Sequence, residues 1–190
     1  MEKEIILASA SPRRRELLGM FDLTFTVIPA VGEEKSEAGL TPGETVEALA
    51  RAKAAEVAAG HSGAVVIGSD TVVERDGELL GKPKSEAEAF RMLKSLSGRS
   101  HRVWSGVCVI EGERCLTAHE MTAVHFRSLS DEEIWAYIRS GEPMDKAGAY
   151  GCQGRASLFI DRLEGDFFNV MGLPLCRLGL MLKELGVELL

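Results

Sequence analysis

Ile5-Ile6-Leu7-Ala8-Ser9-Ala10-Ser11-Pro12-Arg13-Arg14-Arg15-Glu16-Leu17-Leu18 is the stretch on which the reading of this chain turns. Ile5 to Ala8 predict a short buried strand, followed by a tight turn and a helix that opens at Pro12. Ser11 suits the N-cap, where its side chain can accept an unpaired amide proton of the first turn. Pro12 suits the first helical position, where a missing N–H leaves nothing unsatisfied. Three arginines then occupy that first turn. The positive end of the helix dipole disfavours cations there by roughly a few tenths of a kcal/mol each. A local rule broken without evident structural gain points to a site. Backbone N–H groups and guanidinium groups at one helix N-terminus suit an anion, most simply a phosphate. The plainer alternative is a solvated basic turn with Arg15 paired to a carboxylate.

Working outward, 190 residues with 45% hydrophobic content can bury a core as one domain over 1–190, with room for two lobes. The net charge of −7 argues against a general nucleic-acid binder, so an anionic ligand would have to be met by local basic residues. No apolar run is long enough for a signal peptide or a bilayer span, which predicts a cytoplasmic protein with no membrane partner. Cys108, Cys115, Cys152 and Cys176 lack C-x-x-C spacing and read as reduced thiols. His61, His101, His119 and His125 form no metal or triad signature.

Thr24 to Ile28 predict a second strand, and Gly32 to Glu37 a loop. Thr41-Pro42-Gly43-Glu44 is a capping box that should start a helix running to about Gly60. Its apolar face carries Val46, Leu49, Ala50 and Val57, and Lys53 falls on that same face. A lysine there either snorkels to solvent or points into a polar cleft. Ala64 to Gly68 form a continuous apolar run, the mark of a strand buried on both faces. The run ends in Ser69-Asp70-Thr71 and resumes at Val72. Arg75-Asp76-Gly77-Glu78 predicts a hairpin turn whose return strand reaches Gly81-Lys82-Pro83. Two further capping boxes, Ser85 to Glu88 and Ser130 to Glu133, open helices on either side of a long hairpin, His101–Ile110 and Arg114–Phe126. Met144 to Gly154 lack apolar periodicity, and a loop of that length is commonly functional. A strand near Leu158–Ile160 and a last helix bearing Leu175, Leu178, Leu182 and Leu185 complete the chain. Alternating helices and strands around a central hairpin predict an α/β fold with a mixed, twisted sheet flanked by helices.

Asp70 is the leading carboxylate, because it sits where the buried strand is expected to emerge and open α/β sheets bind ligands at strand ends. Such an aspartate can also be a simple turn-former. Arg13, Arg14, Lys53, Lys82 and Lys146 stand in rule-breaking or loop positions, and Asp70, Glu33 and Asp145 are carboxylates in similar places. Cations to hold phosphates and carboxylates to bind Mg2+ or activate water are what phosphoryl chemistry requires.

Several of these segments together resemble the signature blocks of the Maf family. They are Leu7 to Arg14, Gly68-Ser69-Asp70-Thr71-Val72-Val73, Gly81-Lys82-Pro83, Leu96-Ser97-Gly98-Arg99-Ser100-His101, Gly141 to Gly154, and Val170-Met171-Gly172-Leu173-Pro174. The blocks are collinear and run nearly end to end. The resemblance implies an elongated mixed sheet in two lobes around a cleft, similar to inosine triphosphate pyrophosphatases. It implies hydrolysis of a nucleoside triphosphate between the α and β phosphates, with Mg2+ or Mn2+, and a homodimer. The position matching Asp70 is then the proton acceptor, and those matching Arg13, Thr71 and Gln153 select the base. The substrate-binding set becomes Ser9, Arg13, Arg14, Lys53, Thr71, Lys82, Lys146 and Gln153; Asp70 either takes the proton of the attacking water or holds the metal, with Glu33 the candidate second metal ligand. The run Asp145 to Gly154 resembles the dTTP/UTP branch, with Cys152 where an aliphatic residue is commoner. Gln153 offers both a donor and an acceptor, which suits a pyrimidine edge. The branch also implies a house-cleaning role toward non-standard, including modified pyrimidine, nucleotides. The alternatives are a nucleotide-binding regulator of cell division acting through a protein partner, and a phosphohydrolase that removes the γ-phosphate.

Overall fold

A computed structural model describes residues 3–32 and 38–190. The strands are β1 (Ile5–Leu7), β2 (Thr26–Val27), β3 (Val65–Arg75), β4 (Glu78–Leu80), β5 (Ser100–Glu111), β6 (Arg114–Phe126) and β7 (Ile160–Glu164). The helices are α1 (Pro12–Leu18), α2 (Pro42–Ala58), α3 (Glu86–Leu96), α4 (Asp131–Ile138), α5 (Phe167–Met171) and α6 (Leu175–Glu184). Among the described residues the seven strands form one sheet in the order β2-β1-β3-β5-β6-β7, with β4 added to β3. β1 runs parallel to β2 and β3, whereas β4 on β3 and β7 on β6 are antiparallel. The expected mixed α/β sheet is thus present. Among the described residues no helix is long and apolar enough to cross a membrane.

Local chemistry sets the element ends. Ser11 caps α1 through its side chain, with Pro12 next in line. Thr41 with Glu44, and Ser130 with Glu133, make the reciprocal capping boxes that the sequence predicts. The Ser85 box is only half made. Ser85 accepts from the Glu88 amide, but the Glu88 carboxylate turns instead to the amide of Lys84, at 2.8 Å. Asp76 and Gly77 both take positive φ, 53° and 85°, the conformation of a two-residue hairpin turn whose twist matches its strands.

Three boundaries differ from expectation. β3 does not stop at Ser69: it continues through Ser69, Asp70 and Thr71 to Arg75, so Asp70 lies inside a long strand and not at its end. β4 stops at Leu80, leaving Gly81-Lys82-Pro83 outside the sheet, in keeping with a proline that has no N–H to give a ladder. β7 begins at Ile160, after a 3₁₀ turn over Arg155–Leu158 whose Leu158 is 73% exposed. The loop beyond α4 contains two more 3₁₀ turns, Glu142–Asp145 and Ala147–Ala149.

The chain divides into two compact units. Unit 1 comprises Met1–Asp70, Ser105–Glu120 and Gly172–Leu190. One of its apolar clusters packs Ile6, Ala8 and Val66 against Ala50, Ala54 and Val57 of α2. Unit 2 comprises Thr71–Trp104 and Met121–Met171, and its core gathers Val73, Leu93, Leu96, Phe126, Ile134 and Ile138 among others.

Candidate active site

In unit 1 the site begins with how closely α2 lies on the sheet. A Cβ built on Gly68 would stand 2.3 Å from the Ala50 carbonyl oxygen, and one on Gly106 would stand 2.2 Å from that of Val46. Only glycine permits that approach, and Val46, Ala50 and Ala54 are fully buried in it. Side chains alternate along a strand, so Gly68 and Asp70 share the face that α2 covers, and Ser69 points to the other. Lys53, one residue before Ala54, therefore reaches Asp70. Its Nζ donates to Asp70 Oδ1 at 2.5 Å, and both side chains are largely buried. Of the two options open for Lys53, the structure takes the polar one. A buried ion pair of this kind is weak evidence for stability, since desolvation offsets much of the attraction, but it fixes a carboxylate in place.

On the opposite face, the Ser69 hydroxyl donates to the carbonyl oxygens of Gly106 and Gly172, at 2.8 and 3.0 Å. Arg14 Nε donates to that same Gly172 oxygen at 2.7 Å, and its Nη1 to Ser9 Oγ at 3.3 Å. Ser9 Oγ also accepts from the Ser11 amide. Arg14 and Ser9, both expected at substrate, thus tie α1 to the start of the C-terminal segment. Arg13 lies beside them, half-buried.

In unit 2, Thr71 is half-buried on β3, directly after Asp70 in sequence. The Gly148 amide donates to the Gly81 carbonyl at 3.1 Å, joining the segment that bears the exposed Lys82 to the loop that bears Lys146. Lys146 Nζ donates to the Glu142 carbonyl (2.7 Å) and pairs with Asp145 (2.6 Å). Its stem lies over Gly151, where a Cβ would meet Lys146 Cε at 2.6 Å and Gln153 Oε1 at 3.5 Å. Lys146 and the exposed Gln153 are therefore neighbours.

The structure brings together Lys53 with Asp70, Ser9 with Arg14, and Lys146 with Gln153. Glu33 falls outside the described residues. Sequence reasoning passed over Ser69, which reads as an interruption of the strand, and gave no role to Tyr137 or Glu142. A serine flanking Asp70 inside an otherwise apolar run was the one available signal.

Among the described residues no three His, Cys, Asp or Glu side chains come together to hold a metal ion. One buried carboxylate, Asp70, still fits a cation of the Mg2+ type. Such ions take one or two protein carboxylates and complete their shell with water and substrate phosphates.

A mixed, helix-flanked sheet carrying a lysine-held carboxylate defines an α/β protein. The same fold occurs in a HAM1 protein from Coxiella burnetii, with a TM-score of 0.52 over 96% of this chain and all of that one, at 19% identity. The chain belongs to the Maf family: its residues 4–185 match the family described as Maf-like protein. A relative from Thermococcus gammatolerans named dTTP/UTP pyrophosphatase is 53% identical over 186 residues, 98% of each chain. One of the same name from Pelotomaculum thermopropionicum is 52% identical over 190 residues, 99% of this chain and all of that one. A third, from Bacillus mycoides, is 47% identical over 182 residues.

Proposed function

We propose that this Maf-family protein is a nucleoside triphosphate pyrophosphatase acting on dTTP and UTP, and on modified pyrimidine nucleotides of the same edge. The observation that carries the reading is the near-complete span of relatives bearing that name at about half identity. The buried Lys53–Asp70 pair supports it chemically. Water attacks the α-phosphorus, a new P–O bond forms, and the bond to the bridging oxygen breaks, releasing pyrophosphate with the electron pair. Asp70 accepts the proton lost by the water, oriented by Lys53. Arg13, Lys82 and Lys146 offset charge on the triphosphate, and Gln153 pairs with the pyrimidine edge. Asp70, with Glu33, would hold Mg2+ or Mn2+, which supplies further stabilisation of phosphate charge. The protein acts as a homodimer in the cytoplasm, a state that light scattering on purified protein checks.

The test is a product assay. Protein is incubated with Mg2+ or Mn2+ and a panel of ribo- and deoxyribonucleoside triphosphates, scoring pyrophosphate against orthophosphate. Pyrophosphate led by dTTP and UTP is expected. Pyrophosphate led by a purine keeps the reaction and removes the role of Gln153. Orthophosphate alone assigns γ-phosphate cleavage, and binding without turnover assigns a nucleotide sensor.

A further inference from the structure

The turn that carries Gln153 is held by two residues outside it. Gly151-Cys152-Gln153-Gly154 closes through the Gly154 amide, which donates to the Gly151 carbonyl at 3.1 Å, leaving Gln153 exposed near the tip above a buried Cys152. On its leading side, the Gly151 amide donates to the Tyr137 hydroxyl at 3.2 Å. That hydroxyl donates its proton to Glu142 Oε1 at 2.9 Å. On its trailing side, the Arg155 amide donates to both Glu142 oxygens, each at 3.1 Å. The carboxylate lies so near the turn that a Cβ on Gly154 would stand 2.2 Å from Glu142 Oε1. The Glu142 carbonyl also receives Lys146 Nζ. One residue therefore secures both ends of the Gln153 turn and the neighbouring lysine.

We propose that Tyr137 and Glu142 are positioning residues that set base preference by fixing the Gln153 turn. This rests on the reading of Gln153 given above. Gln153 is exposed and receives only a weak hydrogen bond from the neighbouring Cys152 thiol, at 3.7 Å, and a hydrogen-bonding side chain discriminates only if its direction is fixed before the base arrives. The network supplies that direction from rigid parts: Tyr137 is buried on α4 and packs edge-on against Phe159. Burial raises the Tyr137 pKa well above its ordinary value, so the phenol keeps its proton and remains a donor to the carboxylate.

Tyr137→Phe removes the hydroxyl and leaves the ring. Its expected effect is a fall of about tenfold in the ratio of kcat/KM for UTP to that for CTP or GTP, the size of one lost network hydrogen bond. A ratio does not depend on the fraction of folded enzyme, so a general loss of structure would not move it. In a Gln153→Ala background the same change should leave the ratio untouched, because both act through one contact. Glu142→Gln, which keeps part of the acceptor set, should fall between wild type and Glu142→Ala. Trypsin cleavage after the exposed Arg155 reads the turn without reference to activity, and should quicken in Tyr137→Phe. Equal loss on all substrates, or an additive effect in the Gln153→Ala background, overturns the positioning role. If wild type releases no pyrophosphate, the functional reading fails by itself, and an unchanged cleavage rate then overturns the anchoring as well.

Discussion

Gly68→Ala tests whether the close seat of α2 on β3 is what holds Lys53 to Asp70. The added Cβ would lie 2.3 Å from the Ala50 carbonyl oxygen and 2.8 Å from the Ala54 amide nitrogen. Carbon and oxygen need about 3.3 Å, so α2 must retreat by about 1 Å or β3 must bend. No side chain can swing aside, because the clashing atoms are backbone and the Ala54 Cβ, at 2.9 Å, which moves only with it. Overpacking of this kind costs about 1–3 kcal/mol, and for a chain of this length each kcal/mol lowers Tm by roughly 2–4 °C. The same retreat stretches the 2.5 Å Lys53–Asp70 contact to about 3.5 Å, past a good hydrogen bond. A 1 Å misplacement of a catalytic group can cost on the order of 10²-fold in turnover. Calorimetry gives the Tm, and pyrophosphate release from UTP, measured well below both transitions, gives kcat. Gly63→Ala is the control, since a Cβ there meets open space, and it should change neither quantity. A Gly68→Ala protein with wild-type Tm and kcat would refute the claim that helix proximity sets the pair.

Two further outcomes follow from the same geometry. Asp70→Asn should lower kcat at least 10²-fold while nucleotide binding by calorimetry persists, and near-wild-type turnover would remove Asp70 from the mechanism. His101, whose Nε2 lies 2.7 Å from the Tyr150 hydroxyl, is buried, and burial pushes its pKa down from 6.5 to about 3. The unfolded chain takes up a proton near pH 6.5 that the folded chain refuses until about pH 3, so stability is full above that range and is lost as pH falls through it. Between pH 8 and pH 5, urea titrations should show wild type losing about 2 kcal/mol more than His101→Asn, and parallel profiles would contradict a neutral His101.

Elements whose cause is local were legible in the sequence. Thr41 with Glu44 and Ser130 with Glu133 close their boxes within one turn, and Asp76-Gly77 makes its hairpin from two residues. What depends on a distant partner was not. Ser69 and Asp70 read as a break in an apolar run, yet β3 passes through them because carbonyls from Gly106 and Gly172, and the ammonium of Lys53, satisfy their side chains. Spacing placed Lys53 on the apolar face of its helix but could not show which carboxylate waits there. Leu158 looked like a strand residue by type, and is exposed. α5 is too short to display a period. Gln153 was reached through family resemblance, and the Tyr137–Glu142 anchor beneath it has no sequence signature: a tyrosine on an apolar helix stripe ordinarily reads as core.

Unit 1 is assembled from stretches that lie far apart in the chain, and its last piece begins at Gly172. During synthesis every residue of unit 2 emerges before that piece exists. Arg14 and Ser69 share the Gly172 carbonyl, and Arg14 is 158 positions away from it. At ribosomal speed that separation is a wait on the order of ten seconds, during which β1 and α1 have no C-terminal partner. Arg14, among the earliest residues made, is therefore among the last to be secured.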